Sequence, residues 1–172
     1  MINKQIIHNI YWVLWFLITM LTGILAGFLI SHSVMLGRYF TWLIESKNYN
    51  VFIDTFSVFR NSTHANIHYN IFLWASYIIG IIWTIFCFVV RKNRIIALIA
   101  GLSTLWVGFV FFASGFSAAE EAVCTGTAGE ALRNFFVLWN VPMHTSFALF
   151  YTLCFFLLLI SGFRSNKTSS NA

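Results

Sequence analysis

The chain has 172 residues, of which 59% are hydrophobic and only 9% charged, and its formal net charge is +5. High hydrophobicity with so little charge excludes a disordered chain. It also excludes an ordinary soluble domain, which carries about 25% charged and about 45–50% apolar residues.

Four apolar runs carry no charged residue: 10–30, 71–90, 95–118 and 141–163. At about 1.5 Å per helical residue, each approaches or exceeds the bilayer core of about 30 Å. Core helices of soluble proteins rarely stay apolar on every face for so long. No alternating barrel pattern is present, so helices are expected. The predicted fold is all-α: an integral membrane four-helix bundle forming one domain over residues 1–172. The first run is too long for a cleaved signal peptide and lacks a clean small-x-small cleavage site. Helix-compatible residues continue from Ser31 to Ile44, so the first helix is expected to run past the membrane.

The longest connection, about 31–70, contains Phe52, Phe56 and Phe59 at helical spacing. That spacing predicts an extra amphipathic helix at the interface or capping the bundle. Arg91-Lys92-Asn93-Arg94 reads as a tight basic turn. The connection from about 119 to 140 is expected to turn at Gly126 and Gly129. Asn140 ahead of Pro142 reads as a helix start. The polar tail, 164–172, is expected to be disordered. Gly23 with Gly27, and Gly101 with Gly108 and Gly115, form rows that allow close helix approach.

Placing the charges resolves the net charge. With four spans, one side holds Lys4, Arg91, Lys92, Arg94, Arg164 and Lys167 and no acid, which makes it cytoplasmic by the positive-inside rule. The opposite side holds Arg38, Lys47, Arg60 and Arg133 with Glu45, Asp54, Glu120, Glu121 and Glu130. The basic surplus is therefore an orientation signal, and no nucleic-acid partner is expected. Both termini are expected in the cytoplasm and the long loops outside, in a bacterial inner membrane or a plasma membrane. Cys87 and Cys154 fall inside spans and Cys124 in an outer loop, so no disulfide is expected.

The histidines are the most informative residues. His8 lies at the cytoplasmic end of the first span, while His32, His64, His68 and His144 fall at one depth near the outer rim. Four residues apart, His64 and His68 would share one helix face. That spacing presents two imidazoles to one metal ion, and imidazole binds copper, iron, zinc and nickel. His32, His64, His68 and His144 are thus candidate metal ligands, with copper or iron (or a haem) as candidate cofactor. Glu120 and Glu121, at the same level, are candidate proton-handling residues. Two alternatives stay open: a polar pocket without metal, and histidines scattered along the interface. Ser31, Ser33, Asn140, Thr145 and Ser146 flank the histidines and are available to bond a second ring nitrogen; helix capping and interhelical bonds are their plainer roles.

The stretch Leu21-Thr22-Gly23-Ile24-Leu25-Ala26-Gly27-Phe28, with Ser33-Val34-Met35 and Gly37 after it, resembles the first helix of the anthrone-oxygenase-like family of small four-helix membrane proteins. Ala131-Leu132-Arg133-Asn134-Phe135-Phe136-Val137-Leu138-Trp139-Asn140 is similar to that family's last loop and its Trp-Asn pair. That family usually carries an arginine three residues further on, where this chain has Met143. The resemblance implies a four-helix membrane fold and an oxygenase of aromatic or hydrophobic substrates, in a cofactor-independent variant where a histidine deprotonates the substrate.

Taken together, these readings predict a membrane oxidoreductase, oxygenase-like, acting on a hydrophobic molecule or quinone that enters from the lipid. The alternative is a non-catalytic accessory or metal-binding membrane component using the same histidines, as a homo-oligomer or alone. A transporter is disfavoured, because no ionisable residue sits mid-span.

Overall fold

A computed structural model describes residues 4–169, with side chains through Phe163. Every regular element among the described residues is helical. In chain order these are α1 (Lys4–Ser31), a π-helical turn π1 (His32–Leu36), α2 (Gly37–Glu45), α3 (Tyr49–Phe52), a second π-helical turn π2 (Ile53–Ser57), α4 (Val58–Thr63), α5 (Ala65–Val89), α6 (Arg94–Ala113), α7 (Phe116–Cys124) and α8 (Glu130–Ser169). Four stretches are long and apolar enough to cross a membrane: Lys4–Glu45, Ala65–Val89, Arg94–Ala113 and Glu130–Phe163. They correspond to the four apolar runs of the sequence.

Several boundaries differ from expectation, each for a local reason. The third run is broken at Ser114-Gly115, where Gly115 takes φ 76°. That left-handed conformation is open to glycine without a Cβ penalty. Gly115 therefore acts as a turn, and a Cβ there would meet nothing within 4 Å, so it adds no close helix approach. The fourth helix begins at Glu130, and Pro142 lies inside it rather than at its start. Proline inside a membrane helix is tolerated when other groups satisfy the freed backbone. The helix also continues to Ser169, through most of the tail expected to be disordered; residues 170–172 lie outside the described residues. Residues 49–63 are helical as expected, but π2 interrupts them. A π-turn holds an extra residue and shifts the face that follows. Phe52 is buried, Phe56 half-buried and Phe59 exposed, so the three do not share one environment.

The chain divides into two compact units. The first comprises 1–26, 72–106 and 149–172. Its core is Tyr11, Ile18, Trp83, Cys87, Ala97, Ala100, Cys154 and Leu158. Small residues let these helical segments approach: a Cβ on Gly23 would come within 3.0 Å of the Phe155 ring. Polar side chains tie the segments together. Trp15 donates to the Leu158 carbonyl at 2.8 Å, Thr84 to the Ala97 carbonyl at 2.9 Å, and Ser76 and Tyr151 share a hydrogen bond of 3.1 Å. At the Arg91–Arg94 turn, Asn93 donates to the Tyr11 hydroxyl at 2.7 Å and the Lys92 ammonium sits 4.0 Å above the Tyr11 ring. Arg91 and Asn93 both take left-handed φ, which Asn accommodates well.

The second unit comprises 27–71 and 107–148. Its core is aromatic. Phe40, Phe52 and Phe56 pack with ring centres 4.3–5.2 Å apart, and Phe116 stacks on Phe136 at 5.8 Å. Its buried polar residues include two histidines and an asparagine: His32, Ser33, Ser57, Asn140 and His144. The three cysteines of the chain are free and buried.

Candidate functional site

The site begins with a helical irregularity. In π1 the Gly37 amide donates to the His32 carbonyl, a bond that reaches back five residues instead of four. Such single π-turns re-aim side chains and recur at functional sites. Here the turn presents the His32 ring. Gly37 leaves room for it: a Cβ would sit 3.0 Å from His32 Cδ2 and 3.0 Å from the His32 carbonyl oxygen.

His144 of α8 meets this ring. The two imidazoles stack with centres 3.9 Å apart and planes 30° from parallel. Both are 6% exposed. Aromatic rings enclose them: Phe28 and Phe40 flank His32, and Phe116 and Phe147 flank His144, with ring centres 5.7–6.4 Å away.

One residue orients both rings. Asn140, fully buried, donates from Nδ2 to the Gly37 carbonyl at 2.9 Å and to Thr41 Oγ1 at 3.3 Å. A backbone carbonyl only accepts, so these bonds fix which end of the amide is oxygen. The oxygen, Oδ1, lies 3.2 Å from His32 Nε2, and the Asn140 backbone carbonyl lies 2.8 Å from His144 Nδ1. Both partners are acceptors, so both ring nitrogens must donate. His32 is thereby the Nε2–H tautomer and His144 the Nδ1–H tautomer. The lone pairs remain on His32 Nδ1 and His144 Nε2. Neither nitrogen is among the fully enclosed polar atoms without a partner.

The other expected site residues are placed differently. His64 and His68 are exposed. His64 takes a left-handed φ of 53° at the end of α4, and α5 begins at Ala65. The two histidines therefore do not share one helix face. Among the described residues, no three His, Cys, Asp or Glu side chains group so as to hold a metal ion. The stacked pair itself fits a shared ion poorly. Two imidazoles on one tetrahedral ion, at metal–nitrogen distances of about 2 Å, hold their ring centres about 5 Å apart. The residues brought together here therefore do not fit a shared copper or iron ion.

Glu120 on α7 is half-buried. Burial pushes its carboxyl above the usual carboxylate range, against the opposing pull of His32 and Arg60, with Glu121 adding to the rise. Glu121 is more exposed and pairs with Arg60, whose second nitrogen lies 3.3 Å from Oε1. Nearby, Tyr49 donates to the Val123 carbonyl at 2.8 Å, and Arg133 lies 4.9 Å from the Tyr49 ring centre. Cys124 is buried, and burial together with Glu120 pushes its thiol up to about 12.

Sequence reasoning located His32, His144 and the glutamates but missed Gly37 and the enclosing phenylalanines. Asn140, one of five polar residues available in the sequence to bond a second ring nitrogen, is the one that bonds both rings, and it lies inside α8 rather than at a helix start. No family model, curated protein or solved structure matches the chain.

Proposed function

We propose that the chain is an integral membrane oxidoreductase, oxygenase-like, which acts on a hydrophobic substrate at the His32–His144 pair. The observation that carries this reading is the stacked, buried pair, each ring held as a neutral tautomer with one basic nitrogen left over. A basic nitrogen in an aromatic enclosure suits proton abstraction from an apolar molecule. When one ring takes the proton, the face of the other lies 3.9 Å away and shields it from the lipid. Glu120, whose carboxyl feels the charges of His32, Arg60 and Glu121, is the acid proposed to take up that proton. Proton removal makes the substrate electron-rich, and dioxygen is the oxidant the sequence resemblance implies. The charge distribution supports an extracytoplasmic position for the pair.

The test is oxygen consumption by the purified full chain in lipid nanodiscs, with a panel of apolar aromatic substrates. Wild-type turnover that falls more than tenfold in both His32→Gln and His144→Gln supports the reading. Turnover unchanged in either variant removes that ring from the chemistry. A second, non-catalytic reading has its own support: the bonds from Asn140 to Gly37, Thr41 and His32 would hold the helices together with no turnover at all.

A further inference from the structure

Resting on the reading of the stacked pair as the working site, we propose that the site selects an uncharged, apolar ligand that donates hydrogen bonds through O–H or N–H groups, and rejects ligands whose polar atoms only accept. The selecting device is Asn140. Its side chain commits His32 Nε2 as a donor to Oδ1, and its backbone carbonyl commits His144 Nδ1 as a donor at 2.8 Å. Each neutral imidazole has one donor and one acceptor nitrogen. Both donors are consumed inside the protein, so the pair presents two acceptors, His32 Nδ1 and His144 Nε2, and no donor.

A buried acceptor opposed by another acceptor is left unsatisfied, and that mismatch is what gives polar sites their strong discrimination. The enclosure adds the second half of the specificity. Phe28, Phe40, Phe116 and Phe147 supply apolar surface around the rings, and no Lys or Arg makes a ring contact or hydrogen bond with either histidine among the described residues. A hydroxylated aromatic such as a hydroquinone meets both conditions. The quinone of the same carbon frame is equally apolar, but its two oxygens only accept.

Two measurements test this on the full chain in nanodiscs. The first is tautomer assignment by long-range proton–nitrogen NMR of ¹⁵N-histidine-labelled protein at neutral pH. One signal set of the Nε2–H form should vanish in His32→Gln, and one of the Nδ1–H form should vanish in His144→Gln. The second is anaerobic binding of tetramethylhydroquinone against tetramethylbenzoquinone. The hydroquinone should bind at least tenfold more tightly, and His144→Phe, which keeps an aromatic ring in the stack, should reduce that preference to within about threefold. The opposite tautomer at either ring, equal affinities, preference for the quinone, or no saturable hydroquinone binding each overturns the proposal. Oxygen-dependent turnover of a substrate without donors would overturn it while leaving the proton-abstraction reading standing.

Discussion

The Asn140 amide nitrogen donates to the Gly37 carbonyl at 2.9 Å, a bond that spans 103 residues of sequence and fixes which end of the amide faces His32. Asn140→Ala removes two donors and an acceptor from a fully buried position. It leaves the His32 Nε2–H without its partner, at a cost of about 1–3 kcal/mol for a buried polar group. Equilibrium unfolding in mixed detergent should show that loss, with Asn140→Asp also destabilised because a carboxylate cannot donate to Gly37. A change below about 0.5 kcal/mol in both variants would mean the amide carries no structural weight.

Gly37→Ala tests the close approach of the π-turn to the ring. The added methyl would lie 3.0 Å from His32 Cδ2 and from the His32 carbonyl oxygen, and the backbone atom cannot swing aside. Overpacking of this kind costs about 1–3 kcal/mol. Thermal melts should report the loss, together with a changed His32 NMR environment. A variant as stable as wild type, with an unshifted His32 signal, would contradict the packing described.

The Glu120 carboxyl gives stability a pH dependence of known sign. Its folded-state affinity for a proton is raised above the ordinary value near 4.5. The native state therefore binds more protons than the unfolded state in that window, and stability falls as pH rises from about 4.5 through the raised value. Glu120→Gln, which stays neutral, should flatten the profile. A wild-type profile that rises with pH across this window and is unaltered by Glu120→Gln would refute the assignment.

The Arg60–Glu121 pair should matter much less. Glu121 is 58% exposed and Arg60 12% at the side chain. Pairs open to solvent contribute about 0–1 kcal/mol and weaken with salt. Arg60→Ala should thus destabilise by under about 1 kcal/mol in low salt and by less in high salt. A larger, salt-insensitive loss would show that Arg60 does more than pair with Glu121.

Metal analysis separates the remaining alternatives. Acid–base chemistry at the stacked pair predicts that chelator treatment leaves stability and hydroquinone binding unchanged. Stoichiometric copper or iron that is lost in His64→Ala/His68→Ala would restore the four-histidine reading.

Much of the helical framework was legible because span length and hydropathy are properties of long segments, insensitive to single residues. The four apolar runs correspond to the four long helical stretches, and the helix past Ser31 follows from an unbroken run of compatible residues. Depth counting brought out His32 and His144, since residues at one level of a span can meet. What failed depended on single backbone angles. The left-handed φ at His64 undid an i, i+4 pair that spacing alone suggested. The register shift of π2 separated Phe52 from Phe59. Pro142 suggests a helix boundary, yet α8 runs through it. Asn140 stood among five candidate partners for a ring nitrogen, but its bonds to Gly37 and Thr41 join residues about 100 apart in sequence, and no local pattern encodes those.

The π-turn at His32–Leu36 has a consequence for tolerance to length change. A helix normally absorbs a single-residue deletion badly, because everything downstream rotates by about 100°. Here the spare residue is already present, and shortening the turn by one would restore ordinary α-helical winding without breaking the chain's course. α2 would then keep the buried Phe40 and Leu43 on its inner face, and what changes is the turn itself, which loses the widened winding that aims His32. The segment thus stays fully helical while His32 loses its aim at His144. A survey of one-residue deletions across 32–36 would find proteins that are helical by circular dichroism but lack the His32–His144 stack.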